Sequence, residues 1–308
     1  MTAEALHAPV AVSSRWRRVR DGRTLPVAIV LLALFAVWFA GAAWLNAPRT
    51  IEQFERDEIT DYGMVELLSA TWSMERPVLP APTQVAADLW ENVFRQAITS
   101  KRSLVYHSWV TMSSTLAGFA LGSALGILIA IGIVHVRTLD RSLMPWVIAS
   151  QTIPILAIAP MIVVVLGNMG FTGLVPKSII SAYLSFFPVT IGMVKGLRSP
   201  DPLQLDLMRT YSASKAQIFA KLRWPASVSF LFPSLKVGIA LALVGAIVGE
   251  LPTGAQAGIG ARLLIGSYYG QTTAMWSALI CSGLLAMLCI FLVTVAERVT
   301  ENARGGRP

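Results

Sequence analysis

Six stretches of this chain are apolar over the ~20 residues that an α-helix needs to cross a bilayer. They run roughly from 25 to 45, 109 to 134, 143 to 167, 177 to 195, 228 to 250 and 275 to 296. The pattern predicts an all-α, polytopic membrane protein with six transmembrane helices. The second and third stretches are interrupted by Gly118, Gly122, Gly126 and Gly132 and by Pro145, Pro154 and Pro160. Membrane helices tolerate such residues where neighbouring helices cover the freed backbone groups. Gly118, Gly122 and Gly126 share one helical face, which favours close helix packing over a role in transport.

Two polar stretches separate these runs. Residues 46–106 are acidic at first (Glu52, Glu55, Asp57, Glu58, Asp61, Glu66) and then read Leu79-Pro80-Ala81-Pro82-Thr83. An amphipathic helix follows, with Val85, Leu89, Val93 and Phe94 on one side and Thr83 as the expected N-cap. It either lies at the membrane interface and steers the chain into the second span, or contacts an external receptor protein. Residues 196–225 hold Gly196, Pro200 and Pro202, a helical pattern from Leu203 to Leu222 and an expected stop at Trp224-Pro225. The segment is too polar for lipid and long for a connection. Its capping and amphipathic pattern predict an ordered pair of short helices, a docking candidate.

Composition agrees with the membrane class: of 308 residues 55 % are hydrophobic and 14 % charged, against about 25 % charged in soluble domains. The net charge of +8 arises from short basic clusters between apolar runs, with no basic face, so nucleic acid is excluded as a partner. Basic loops stay in the cytoplasm. With the N-terminus inside, sixteen of the 25 Lys and Arg fall on that side: Arg15 to Arg23, Arg137 to Arg141, Lys195 to Arg223 and Arg298 onward. Lys236, inside the fifth span, is expected to reach the interface with its long stem. The expected organisation is therefore a cytoplasmic basic tail (1–24), a first transmembrane helix (25–45) and a periplasmic segment (46–106). A five-helix core (107–297) containing the cytoplasmic loop 196–225 and a cytoplasmic tail (298–308) complete it. The first run is too long for a signal-peptide core and is read as a retained anchor. Cys281 and Cys289 lie ~12 Å apart along one helix, too far for a disulfide.

Catalytic machinery is not legible. His7, His107 and His135 are the only histidines, and HExxH, GxSxG and Walker A patterns are missing. Proton-coupled transport would call for ionisable relays near mid-membrane. Only Lys236 lies well inside a span, with His107, His135, Lys177, Lys195 and Glu250 near ends. Polar groups inside spans tend to face cavities or partners, which makes Gln151, Thr152, Ser181, Tyr183, Thr190 and Glu250 pathway candidates. Bonding of Ser and Thr to their own helix backbone and a solvated helix end at Glu250 are the competing readings.

The run Asp206-Leu207-Met208-Arg209-Thr210-Tyr211-Ser212-Ala213-Ser214, followed by Gln217, Phe219 and Pro225, resembles the cytoplasmic "EAA" motif of binding-protein-dependent ABC importer permeases. It departs from that motif at Asp206 (Glu), Leu207 and Met208 (Ala) and Ser212 (Gly). Leu79 to Pro82, Ile153-Pro154, Phe186-Phe187-Pro188, Gly245 to Glu250 and Gly258-Ile259-Gly260 resemble the nitrate, sulfonate, taurine and bicarbonate permeases of the type I fold. That group is similar to riboflavin and pyrimidine-precursor permeases, and the likeness spans about residues 79 to 297. It implies a non-catalytic inner-membrane subunit with both termini cytoplasmic, and a coupling helix formed by Asp206, Arg209, Tyr211, Ser212, Ala213, Ser214, Lys215, Phe219 and Pro225. Arg209, Tyr211, Lys215 and Phe219 would enter a groove on a separate ATPase. The implied partners are that ATPase, which holds ATP and Mg while this chain holds no cofactor, a periplasmic substrate-binding protein, and a second permease copy. The implied cargo is a small organic nutrient, an anion or a heterocycle. An ATP-independent channel or a secondary transporter is the alternative.

Overall fold

The computed structural model describes residues 24–59, 61–252 and 257–305. The basic cluster Arg15 to Arg23 and Arg307, used for orientation above, lie outside them. The described residues are helical and fall into two compact units, one ending at Ala87 and one beginning at Asp88.

The first unit holds α1 (Thr24–Arg56), α2 (Met64–Ser73) and the start of α3 (Pro82–Trp90). Helix α1 continues eleven residues past the expected end of the first span. The polar Asn46 beyond that end is fully buried because its carboxamide is saturated. It donates to the carbonyls of Thr71 (3.1 Å) and Leu79 (2.9 Å) and accepts from the backbone N–H of Val78 (2.8 Å) and Leu79 (3.3 Å). Trp38 and Trp72 add indole N–H bonds to the carbonyls of Pro80 and Phe39. Thr83 is not the N-cap of α3. The helix starts one residue earlier, at Pro82, whose missing N–H would be unpaired there in any case, and Gln84 reaches back to the Ala81 N–H (3.0 Å).

In the second unit, after a π-turn at Glu91–Arg95, come α4 (Leu104–His135), α5 (Arg137–Ala149), α6 (Ile155–Asn168) and α7 (Leu174–Leu197). Then follow α8 (Pro202–Thr210), α9 (Lys215–Ile218), α10 (Trp224–Glu250), α11 (Ile259–Tyr268) and α12 (Thr272–Ala303). Small residues let α4, α7 and α10 meet at backbone distance. A Cβ on Gly126 would lie 2.7 Å from the Phe186 carbonyl oxygen, one on Gly245 2.7 Å from the Ser181 Cα, and one on Gly196 2.8 Å from the Ser227 Cα. The glycines of the second span therefore do packing work.

The third span is not one helix. Helices α5 and α6 meet at 100° across the short 3-10 turn Ser150–Thr152. Pro154 lacks an N–H, and it holds Ile153 in an extended conformation (φ −81°, ψ 120°). The pair still traverses the unit. Asp140 of α5 pairs with Arg198 just past the C-terminus of α7 (2.9 Å), whereas α6 ends five residues before the N-terminus of α7.

Lys236 pairs with Glu297 of the adjacent α12, so its ammonium has a carboxylate partner within the bundle.

Candidate functional site

Functional chemistry concentrates at the two ends of the second unit and at the broken helix between them. At one end, α8 and α9 form the expected pair of short helices. Asp201 caps α8, accepting from the Leu203 N–H (2.7 Å), with Pro202 in the first turn. Ser214 and Gln217 form a reciprocal capping box on α9. Between the helices Ser212 adopts φ +53°, a left-handed conformation that suits glycine. This accounts for the glycine of the motif at the position where this chain has serine.

The motif residues divide by direction. Asp206 and Arg209 are exposed and paired to each other (2.9 Å); Tyr211 is 77 % exposed, and Ser212, Ser214 and Lys215 are exposed, with Ala213 half-buried. Leu203 and Leu207, at 77 % and 56 % exposure, stand two turns and one turn before Tyr211, the C-cap of α8, along one side of the helix. Phe219 instead points inward. Its ring lies edge-on to His135 (5.2 Å) and tilted to Trp224 (5.9 Å), against the cluster of Ile133, Val194 and Leu197. It anchors the loop rather than presenting a surface. The predicted helix stop at Pro225 does not occur. A π-turn at Phe219–Arg223, in which the Trp224 N–H reaches the Phe219 carbonyl, carries the chain straight into α10 with Pro225 in its first turn. The wider turn relieves the clash a proline ring makes with the preceding helical turn. Arg223 fixes this junction to the Leu197 carbonyl (3.1 Å).

At the opposite end Glu250 is fully buried rather than solvated. Thr111 of α4 donates to both its carboxylate oxygens (3.0 Å each), and the Gly260 N–H donates to Oε2 (2.8 Å). Lys177, the fourth residue of α7 and 7 % exposed, places its ammonium 3.5 Å from Oε1 and donates to the Ala257 carbonyl (3.1 Å). The Ile259 N–H reaches Thr111 Oγ1 (2.9 Å) and the Gly258 N–H reaches His107 Nδ1 (2.9 Å). Because Nδ1 accepts, the proton of the neutral ring sits on Nε2, which donates to the Lys101 carbonyl (2.9 Å). Three successive backbone N–H groups at the start of α11 are thus held by side chains of α4 and α10. Gly258 has φ +125°, and any Cβ there would overlap the Glu250 carboxylate. Beside this network lies a cavity of about 640 Å³ lined by, among others, Tyr106, Ser113, Phe171, Lys177 and Ala257. From sequence, His107 and Lys177 stood out only as ionisable residues near span ends, and Thr111 did not stand out at all. The available signal was the pair of polar residues His107 and Thr111, one turn apart, opening an otherwise apolar helix.

The remaining pathway candidates separate. Ser181 and Thr190 are buried on α7 where it meets α4, and Thr190 bonds its own helix at Phe186 (2.8 Å). Gln151 and Thr152 occupy the 3-10 turn and are exposed. Tyr183 reaches across from α7, its hydroxyl donating to the Ser150 carbonyl (2.6 Å).

Comparison with known proteins places this architecture. Residues 122–303 match the family model for the binding-protein-dependent transport system inner membrane component. The chain is 31 % identical to the riboflavin transport system permease protein RibX of Chloroflexus aurantiacus, over 72 % of this chain and 79 % of that protein. It is 32 % identical to the formylaminopyrimidine transport permease protein ThiX of Halalkalibacterium halodurans, over 59 % and 68 %. In fold it is similar to a crystal structure of an amino acid ABC transporter with histidines (TM-score 0.52, 18 % identity, 63 % of this chain and 92 % of that one). A helical chain with these crossings, a motif loop of this form and a family match over more than half its length belongs to the binding-protein-dependent inner-membrane permeases of ABC importers.

Proposed function

We propose that α8 and α9 face the cytoplasm and seat this permease on a separate ATPase, which binds ATP and Mg and drives alternating access. A polar loop with three exposed apolar side chains in a row, Leu203, Leu207 and Tyr211, is the observation that carries this reading. Such a row on an exposed helix marks a surface made for a partner. Phe219 and Arg223 tie the loop to the spans, so a push on α8 is passed to α7 and α10. Asp206, Arg209, Ser212, Ala213, Ser214, Lys215 and Pro225 complete the coupling element, Ser212 by setting the angle between its helices.

On this reading both termini are cytoplasmic, residues 46–106 are external, and a periplasmic binding protein delivers cargo to a pair of permease copies. Gln151, Thr152 and Tyr183 lie along the path, while Ser181, Thr190 and Glu250 support it. The cargo is a small organic nutrient; relatives named for riboflavin and formylaminopyrimidine transport favour a heterocycle over an anion. Proteoliposomes holding the permease, its ATPase and its binding protein test the assignment. Uptake should require ATP, and Arg209→Glu should insert normally yet lose at least tenfold in uptake while ATP hydrolysis persists. Uptake without ATP would indicate a channel, and unchanged uptake by the Arg209 variant would remove the coupling role.

A further inference from the structure

The break between α5 and α6 sits deep within the spans. Tyr183, whose hydroxyl holds the Ser150 carbonyl, is the tenth residue of the 24-residue α7. At 1.5 Å per residue the break is level with a point ~14 Å from one end of that helix and ~21 Å from the other. At this depth Gln151, Thr152, Ile153 and Pro154 are all exposed. Tyr183 satisfies one carbonyl, and Thr152 satisfies its own hydroxyl on Ala149 (2.7 Å). A helix leaves its last carbonyls and first N–H groups without intrahelical partners; here the Ala157 N–H turns back to the Pro154 carbonyl (3.0 Å), and the exposed Gln151 stands in the 3-10 turn between the two helix ends.

Hydrocarbon does not tolerate such a surface. Irregular backbone at bilayer depth occurs only where it is buried in protein or lines a water-filled cavity. Exposed residues elsewhere on the spans behave differently: Leu121, Leu125 and Leu128 on α4 and Leu284, Leu288 and Phe291 on α12 are apolar, as a lipid-facing surface is.

We propose that the break at Ser150–Pro154 lines a water-filled stretch of the substrate path, with Gln151 offering the cargo a neutral hydrogen-bonding edge. No charged residue stands in the break, so it would suit a polar molecule with amide-like or heterocyclic donors and acceptors and would not select by charge. This deepens the permease reading and rests on it for the identity of the solute, but the water is testable alone.

The test is cysteine labelling of the assembled transporter in native membranes. Cys281 is first changed to Ser and the buried Cys289 to Ala. Gln151→Cys and Thr152→Cys are then compared with Leu128→Cys and Leu284→Cys, whose parent residues are 66 % and 54 % exposed in the single chain. A small, charged, water-soluble thiol reagent should modify positions 151 and 152 at least tenfold faster than 128 and 284. Rates at 151 and 152 no higher than at the apolar positions would overturn the proposal, whether lipid or a dry protein contact covers them. Labelling needs no turnover, so failed uptake by the cysteine-free parent would count against the transport reading and leave this result standing.

Discussion

Replacing Glu250 by alanine removes one carboxylate and strands several groups. The Lys177 ammonium, 7 % exposed, keeps only the Ala257 carbonyl; the Gly260 N–H loses its acceptor, and the Thr111 hydroxyl loses both. Removing one member of a buried ion pair costs about 3–5 kcal/mol, chiefly because the other charge is left uncompensated. At roughly 2–4 °C per kcal/mol, the scale for cooperative units of about 150–250 residues, the purified permease should lose on the order of 10 °C in melting temperature. The diagnostic step is the double variant with Lys177→Met. Deleting the stranded charge should recover about half of the loss, because the orphaned Gly260 and Thr111 donors, worth roughly 1–3 kcal/mol when buried and unmet, remain. Melting of detergent-purified protein, followed by the loss of a monodisperse chromatographic peak, reads all three proteins. A Glu250→Ala protein melting within about 2 °C of the parent, or a double variant less stable than the single one, would refute the reasoning.

Gly258→Ala should lower the amount of folded permease in the membrane severalfold, since the added Cβ meets the Glu250 carboxylate and the backbone conformation is one that only glycine adopts comfortably; normal yield would contradict the geometry. Ser212→Gly, which relieves a left-handed serine, should stabilise the α8–α9 turn by about 0.5–1 kcal/mol, seen as slower proteolysis within residues 205–220; faster cleavage would count against it. His107→Ala leaves the Gly258 N–H without its acceptor and should cost about 1–3 kcal/mol, whereas His107→Gln should recover much of that if its carbonyl takes the place of Nδ1. Equal melting of the two His107 variants would show that this bond contributes nothing.

Much of the architecture was legible because a bilayer imposes length and apolarity on any helix that crosses it. The spans, the glycine face of α4 and the two-helix loop all follow from runs and caps near in sequence. The breaks were harder. Three prolines in the third span look alike in sequence, yet Pro145 and Pro160 lie inside helices while Pro154 stands in the break as the N-cap of α6. The difference is tertiary, since Tyr183 supports the turn from α7. Pro225 misled in the opposite direction, since the π-turn that accommodates it has no sequence signature.

The motif identified the coupling loop but not its facing. That Phe219 packs inward and Leu203 and Leu207 outward depends on where the loop lies against α4 and α7. Glu250 was visible as a residue, whereas its partners are Thr111, Lys177 and Gly260, on three other elements that no local pattern brings together.

The claim on which the account turns is that the exposed row on α8 is the seat of an ATPase inside the cell. A photo-crosslinking amino acid placed at position 203, 207 or 211 of the assembled transporter tests it most directly. The account predicts a covalent adduct with the ATPase subunit from each of these positions and none from Tyr268 or Tyr269, exposed at the far end of α11. Adducts absent from all three, or modification of position 211 by an impermeant reagent added outside intact cells, would contradict it.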